Sequence, residues 1–120
     1  MSPIRMKLKT AVVALALTAS SLALASPTGV AAHGQAKAQK VCSACHGADG
    51  NKTLDGSYPK LAGQYPDYLS KALHDYKAGK RKNPIMMGQA QGLSDQEIAD
   101  LAEYFGSLQP QIHDLSQHSR

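Results

Sequence analysis

Two cysteines and a histidine stand together in the pentapeptide Cys42-Ser43-Ala44-Cys45-His46, and the chain contains no other cysteine. The spacing C-x-x-C-H is the attachment signature of a c-type haem. The two thiols add to the haem vinyl groups as thioethers, and His46 is placed where a neutral imidazole nitrogen can bind the iron. A bare C-x-x-C would also fit a thiol-disulfide centre or a zinc site. With the histidine, the motif predicts one haem c, bonded through Cys42 and Cys45.

The first 25 residues are predicted to be a secretory signal peptide that is removed from the mature protein. A basic start at residues 5–9 precedes an apolar stretch at 10–24, and Ala23-Leu24-Ala25 fits the small-x-small cleavage pattern. The apolar stretch has about 15 residues, and spanning a bilayer takes ~20. Ala32 ends a second candidate cleavage pattern. We therefore expect a soluble periplasmic protein with no stable membrane insertion after cleavage.

The net charge of the exported chain gives no support for a nucleic-acid partner. The full sequence holds 13 Lys and Arg against nine Asp and Glu, a formal charge of +4. The predicted signal peptide contains three of the basic residues and none of the acidic ones, so +1 remains after its removal. The basic character therefore belongs mostly to the targeting segment.

Large apolar side chains are scarce in this chain, which has no Trp, one Phe and five Tyr. A domain of this size buries a smaller share of its surface than a larger one. A buried haem would supply the missing apolar area. We therefore expect the protein without haem to be largely unfolded.

Helical patterns, with no alternating strand pattern, predict an all-α fold. A short helix over about 32–41 leads into the haem motif, and an amphipathic helix over 66–78 ends at Gly79. The last helix starts at Ser94, which can form a capping box with Glu97. Its apolar face is formed by Ile98, Leu101, Ala102, Phe105 and Leu108.

One domain accounts for the mature chain. Residues 26–32 are predicted to be a flexible lead-in, 33–110 a monohaem domain and 111–120 a polar tail. Residues 47–59 are rich in turn formers and are expected to wrap the cofactor as a loop. Residues 85–92 show no periodicity and are predicted to be a flexible loop.

With these elements placed, the chain resembles the class I cytochromes c, and within them the single-haem bacterial group of the c4, c553 and c5 type. The shared landmarks are Cys42-Ser43-Ala44-Cys45-His46-Gly47-Ala48-Asp49-Gly50, Tyr58-Pro59-Lys60-Leu61-Ala62-Gly63-Gln64, the methionine-containing segment and Leu93-Ser94-Asp95-Gln96-Glu97. The resemblance covers roughly residues 34–109 and implies a small class I cytochrome c fold wrapped around one haem. Cytochrome c4 itself carries two such domains in tandem, whereas this chain has a single C-x-x-C-H motif.

The resemblance also implies two contacts. The N- and C-terminal helices should cross closely, so that Gly34 and Ala38 meet Tyr104 or Phe105. Pro59 matches the proline whose carbonyl accepts a hydrogen bond from Nδ1 of the haem-binding histidine, which fixes the ring and raises its basicity.

For the second axial ligand of the iron, the residues alone leave Met86 and Met87 open. A thioether opposite histidine stabilises ferrous iron and leaves no open position on it. Both methionines lie about 40 residues after the motif, whereas Met1 and Met6 fall in the predicted signal peptide. The resemblance places the ligand eight residues before the capping serine and so selects Met86. Four histidines are weaker alternatives, namely His33, His74, His113 and His118.

The leading hypothesis is a one-electron carrier that is not an enzyme and docks transiently on redox-partner proteins. The alternative is a haem c subunit of a larger periplasmic dehydrogenase or reductase complex. An open-site haem enzyme or gas sensor would need both methionines to be off the iron, and a thiol oxidoreductase would need free thiols. A basic cluster is either a docking surface or an ordinary solvated face; its members are Lys71, Lys77, Lys80, Arg81 and Lys82.

Overall fold

Five helices carry the regular structure of residues 25–111, which are the residues that the structure, a computed structural model, describes. The helices are α1 (Ala31–Val41), α2 (Ser43–His46), α3 (Pro66–Lys77), α4 (Pro84–Gln91) and α5 (Asp95–Ser107). Within the described residues there is no strand, which confirms the predicted all-α fold. The predicted signal peptide, Ala25 apart, and residues 112–120 lie outside the described part of the chain.

The crossing of α1 and α5 organises the core. A Cβ atom placed on Gly34 would lie 2.0 Å from the carbonyl oxygen of Asp100 and 2.8 Å from Cβ of Tyr104. The backbones of the two helices therefore approach as closely as a glycine allows. Ala38, one turn further along α1, is buried in the same core as Tyr104 and Phe105. This confirms the expected contact between Gly34 and Tyr104.

Local signals set the ends of α3 and α5. Pro66 occupies the first turn of α3, and Gly79 follows its C-terminal end with a φ of +71°, a conformation that glycine adopts without steric cost. At α5, the Ser94 side chain accepts a hydrogen bond from the Glu97 amide, and the Glu97 carboxylate accepts one from the Ser94 amide. The capping box predicted from the sequence is confirmed.

The segment before α1 is bound to α5. The amide of Val30 donates to Oδ1 of Asp100 at 2.7 Å, and Nε2 of Gln96 donates to the carbonyl of Thr28 at 2.8 Å. The predicted flexible lead-in at 26–32 extends too far along the chain, because α1 already begins at Ala31. The composition of residues 26–32 does not indicate these two hydrogen bonds, because their partners belong to α5, which is far away in the sequence.

The predicted flexible loop at 85–92 is wrong, because this stretch forms most of α4. The side chain of Asn83 caps the helix by accepting a hydrogen bond from the amide of Met86 at 3.1 Å, and Pro84 occupies its first position. The helix has no continuous apolar stripe, so periodicity could not reveal it. The pair Asn83-Pro84 is nevertheless a local signal for the start of a helix.

The loop between the haem motif and α3 is fixed to the rest of the domain by Asn51. Its buried side chain donates to the carbonyl of Gln109 at 3.1 Å and accepts from the amide of Gln111 at 2.8 Å. The carbonyl of Gly50 accepts hydrogen bonds from the amides of Leu61 and Ala62. These bonds hold the intervening segment, including Pro59, beside the motif.

Within residues 25–111, no helix has the length and apolar character that a membrane crossing requires.

Candidate haem-binding site

The C-x-x-C-H motif forms a single helical turn directly after α1. The amides of Cys45 and His46 both donate to the carbonyl of Cys42, at 3.2 and 3.0 Å. Gly47 ends the turn with a φ of +83°, and a Cβ atom there would lie 2.3 Å from the carbonyl oxygen of Lys52. The turn thus holds both cysteines and the histidine in one short rigid unit.

One nitrogen of the His46 imidazole is hydrogen-bonded to the protein backbone. The side chain is buried, and Nδ1 lies 2.8 Å from the carbonyl oxygen of Pro59. Because a carbonyl only accepts hydrogen bonds, Nδ1 must carry the proton, and Nε2 keeps its lone pair. This is the tautomer in which a histidine binds a metal through Nε2.

A large apolar cavity of about 1000 Å³, its open mouth included, lies beside the motif. His46 and Cys42 line this cavity, and so does Met86 of α4. Much of the remaining lining is apolar and comes from α3, α5 and the loops, including Leu61, Leu69, Leu73, Leu93, Leu101 and Phe105. The Cys42 thiol, a metal-binding imidazole and a thioether around an apolar chamber fit a haem, whose macrocycle is itself apolar. Cys45 belongs to the same helical turn but is not among the residues that line the cavity.

The two methionines differ in position. Met86 lines the cavity, whereas Met87 is not among the side chains that do. The terminal methyl of Met87 instead lies toward the turn after α3, 4.0 Å from where a Cβ atom on Gly79 would be. Although the two residues are neighbours in α4, only Met86 shares the chamber with His46.

Burial raises the pKa of the Cys42 thiol to about 11. A thiol with such a pKa is protonated at neutral pH, and a protonated thiol is a poor nucleophile for disulfide exchange. The environment of Cys42 is therefore unlike that of a thiol oxidoreductase, whose attacking cysteine has a lowered pKa.

The alternative histidine ligands that the structure describes lie elsewhere. His33 and His74 are both exposed and do not line the cavity. Nδ1 of His74 lies 2.8 Å from the carbonyl oxygen of Ser70, and its Nε2 lies 3.4 Å from a carboxylate oxygen of Asp95. His113 and His118 fall outside the described residues.

The basic cluster is smaller than the sequence indicates. Lys71 pairs with Asp75, and Lys77 donates to the carbonyl of Leu93 at 2.5 Å. Arg81 donates to two tyrosine hydroxyls. Of the five cluster residues, Lys80 and Lys82 make no side-chain hydrogen bond or ion pair within residues 25–111.

Fold and site together define a class I c-type cytochrome. The family model "Cytochrome c" matches residues 31–109, so the chain belongs to the cytochrome c family, whose members bind haem c covalently. Within the family it belongs to the cytochrome c4 group. The resemblance noted from the sequence is thereby confirmed.

Three similar proteins illustrate the relationship. The chain is 54% identical to cytochrome c4 of Pseudomonas aeruginosa, over 79% of this chain and 46% of that protein. It is 36% identical to the cytochrome subunit of sulfide dehydrogenase of Chlorobaculum tepidum, over 81% of this chain and 99% of that protein. The crystal structure of reduced recombinant cytochrome c4 from Pseudomonas stutzeri matches with a TM-score of 0.66 at 44% identity, over 71% of this chain and 48% of that one. The chain spans about half the length of the cytochromes c4 it matches.

Proposed function

We propose that this protein is a periplasmic one-electron carrier, not an enzyme, with one haem c attached through Cys42 and Cys45. His46 and Met86 would hold the haem iron. The observation that carries the proposal is the placement of His46, with Nδ1 held by Pro59, in the same apolar chamber as Met86. When bound, the haem supplies the reversible one-electron couple of its iron.

The residues of the chain set the properties of that couple. The hydrogen bond from His46 to Pro59 fixes the ring and strengthens the electron donation of Nε2. The Met86 thioether favours the ferrous state and closes the site to external ligands. The apolar walls limit the access of water, which also tunes the reduction potential.

A single haem follows from the cysteine content. The sequence holds one C-x-x-C-H motif and no third cysteine, so it can form the two thioethers of one haem only.

For the proposed export to the periplasm, cleavage after Ala25 rather than after Ala32 is supported by the contacts of the segment that follows. A mature chain that starts at Ser26 keeps the bonds of Thr28 and Val30 to α5. Cleavage after Ala32 would remove both bonds and the first two residues of α1. The earlier position therefore leaves an intact fold.

Exchange of the axial methionine tests the proposed ligation. We expect Met86→Leu to abolish the weak far-red sulfur-to-iron absorption band of the oxidised protein, because no other thioether of residues 25–111 lines the cavity. We expect Met86→His to lower the reduction potential by on the order of 0.1 V, since imidazole favours ferrous iron less than a thioether does. Visible spectra and a redox titration measure both effects.

The matched control is Met87→Leu, which changes the neighbouring side chain outside the cavity and should retain the band and the potential. Retention of the band in Met86→Leu, or its loss in Met87→Leu, would show that the ligand assignment is wrong.

A second candidate function is that of a haem c subunit in a larger periplasmic dehydrogenase or reductase complex. It is favoured by the match to the cytochrome subunit of sulfide dehydrogenase, which this chain covers almost from end to end. Purification from the native periplasm without overexpression separates the two functions. A free carrier that docks transiently on redox partners elutes as a small protein, whereas a subunit elutes with a large partner in fixed stoichiometry.

A further inference from the structure

Arg81 joins the turn before α4 to two positions on α3. Its Nε donates to the Tyr76 hydroxyl at 2.9 Å, and Nη1 donates to the Tyr68 hydroxyl at 3.2 Å. The guanidinium carbon also lies 5.1 Å from the centre of the Tyr76 ring, within the range of a cation–π interaction. Because the two tyrosines are eight residues apart, a single side chain bridges two turns of α3.

Ordinary charge pairing does not account for this arrangement. Among residues 25–111, no carboxylate lies within ion-pair distance of Arg81, and the nearby Asp75 is paired with Lys71. The two tyrosines and Arg81 do share one property with Met86, because all four side chains line the haem cavity. The bridge therefore borders the same cavity as the proposed ligand.

Helix α4 depends on such external contacts. It has eight residues, and isolated helices shorter than about 12 residues are marginal in water. At its C-terminal end it is fixed to α3 by Gln91, whose Nε2 donates to the carbonyl of Lys77, and by the bond from Lys77 to Leu93. Before its N-terminal end, the amides of Lys80 and Arg81 both donate to the carbonyl of Asp75 in α3. The Arg81 side chain adds its two bonds to the tyrosine hydroxyls there, five residues before Met86.

We propose that Arg81 is a positioning residue that holds the start of α4 against α3 and so keeps the Met86 thioether directed into the haem cavity. The inference rests on the proposed ligation by Met86. It assigns Arg81 a role inside this protein rather than in the docking of a partner. Loss of the bridge raises the fraction of molecules in which the thioether has left the iron.

Competition with free imidazole measures that fraction. Imidazole binds haem iron through nitrogen, and it can occupy the second axial position of the iron only when Met86 has left that position. Its apparent affinity therefore scales with the fraction of molecules in which Met86 is not bound to the iron. We expect Arg81→Gln to tighten imidazole binding to the oxidised protein about tenfold, the effect of one lost charge-assisted hydrogen bond of ordinary strength. Loss of the far-red band during the titration provides the signal.

Lys82→Gln is the matched control, because it removes the same charge from the next residue, which makes no hydrogen bond within the described residues. It should change the imidazole affinity by less than about twofold. Tyr76→Phe removes only the hydroxyl that receives Nε and should tighten binding in the same direction as Arg81→Gln. Combining it with Arg81→Gln should add little, since both changes break the same bond.

Arg81→Lys distinguishes the effect of the two hydrogen bonds from the effect of the positive charge. A lysine keeps the positive charge but cannot span both hydroxyls, so we expect its imidazole affinity to resemble that of Arg81→Gln. An affinity equal to the wild type in Arg81→Lys, or equal effects of Arg81→Gln and Lys82→Gln, overturns the inference. A wild-type spectrum that lacks the far-red band instead overturns the ligation on which the inference rests.

Discussion

Without its haem, the chain is expected to lose most of its helical structure. A variant with Cys42→Ala and Cys45→Ala, which cannot form the thioethers, should show a far-ultraviolet circular dichroism spectrum of a largely unfolded chain. The reason is that Leu69, Leu101 and Phe105 line a chamber of about 1000 Å³ and lose the apolar surface on which they pack. A domain of this size is only marginally stable, and the burial of apolar surface is the main term that stabilises it.

Ser43→Ala is the control for this variant. It changes the same helical turn and removes one hydrogen bond, from Ser43 to the carbonyl of Gln39, but leaves both attachment sites intact. It should retain the haem and the helical signal. A variant without both cysteines that stays helical and melts cooperatively would show that the protein can build its core without the cofactor.

Substitution of Gly34 by alanine is expected to destabilise the haem-bound protein by about 3 kcal/mol. The new Cβ atom would lie 2.0 Å from the carbonyl oxygen of Asp100, and because that oxygen belongs to the backbone, α1 and α5 must move apart. The gain in helix propensity from glycine to alanine, about 1 kcal/mol, does not offset this cost. Chemical denaturation followed by circular dichroism measures the difference.

Gly88→Ala makes the same chemical change in α4, where a new Cβ atom meets nothing within 4 Å. Its stability should stay the same or rise by up to about 1 kcal/mol. If Gly34→Ala and Gly88→Ala proved equally stable, the close approach of α1 and α5 would be refuted.

Elements specified by neighbouring residues could be predicted from the sequence. The haem motif is five consecutive residues, and α5 combines a capping box at Ser94 with an apolar stripe. The end of α3 at Gly79 is likewise a local signal. The start of α4 is also encoded locally, by the cap residue Asn83 and by Pro84, although the helix has no apolar periodicity.

Features that join distant segments could not be predicted from composition or spacing. The bonds of Thr28 and Val30 to α5 link residues about 70 positions apart. The contact between His46 and Pro59 was expected only through the resemblance to cytochromes c. The bridge from Arg81 to the tyrosines of α3 was not expected, because the sequence showed Arg81 only as one of several clustered cations.

The visible spectrum and the intact mass of one sample test the central claim most directly. The protein should be exported by a host that attaches haem to C-x-x-C-H motifs. We predict a red protein whose mass equals that of residues 26–120 plus one haem, and whose oxidised spectrum shows the far-red methionine band. A colourless protein with the mass of its polypeptide alone would contradict the account.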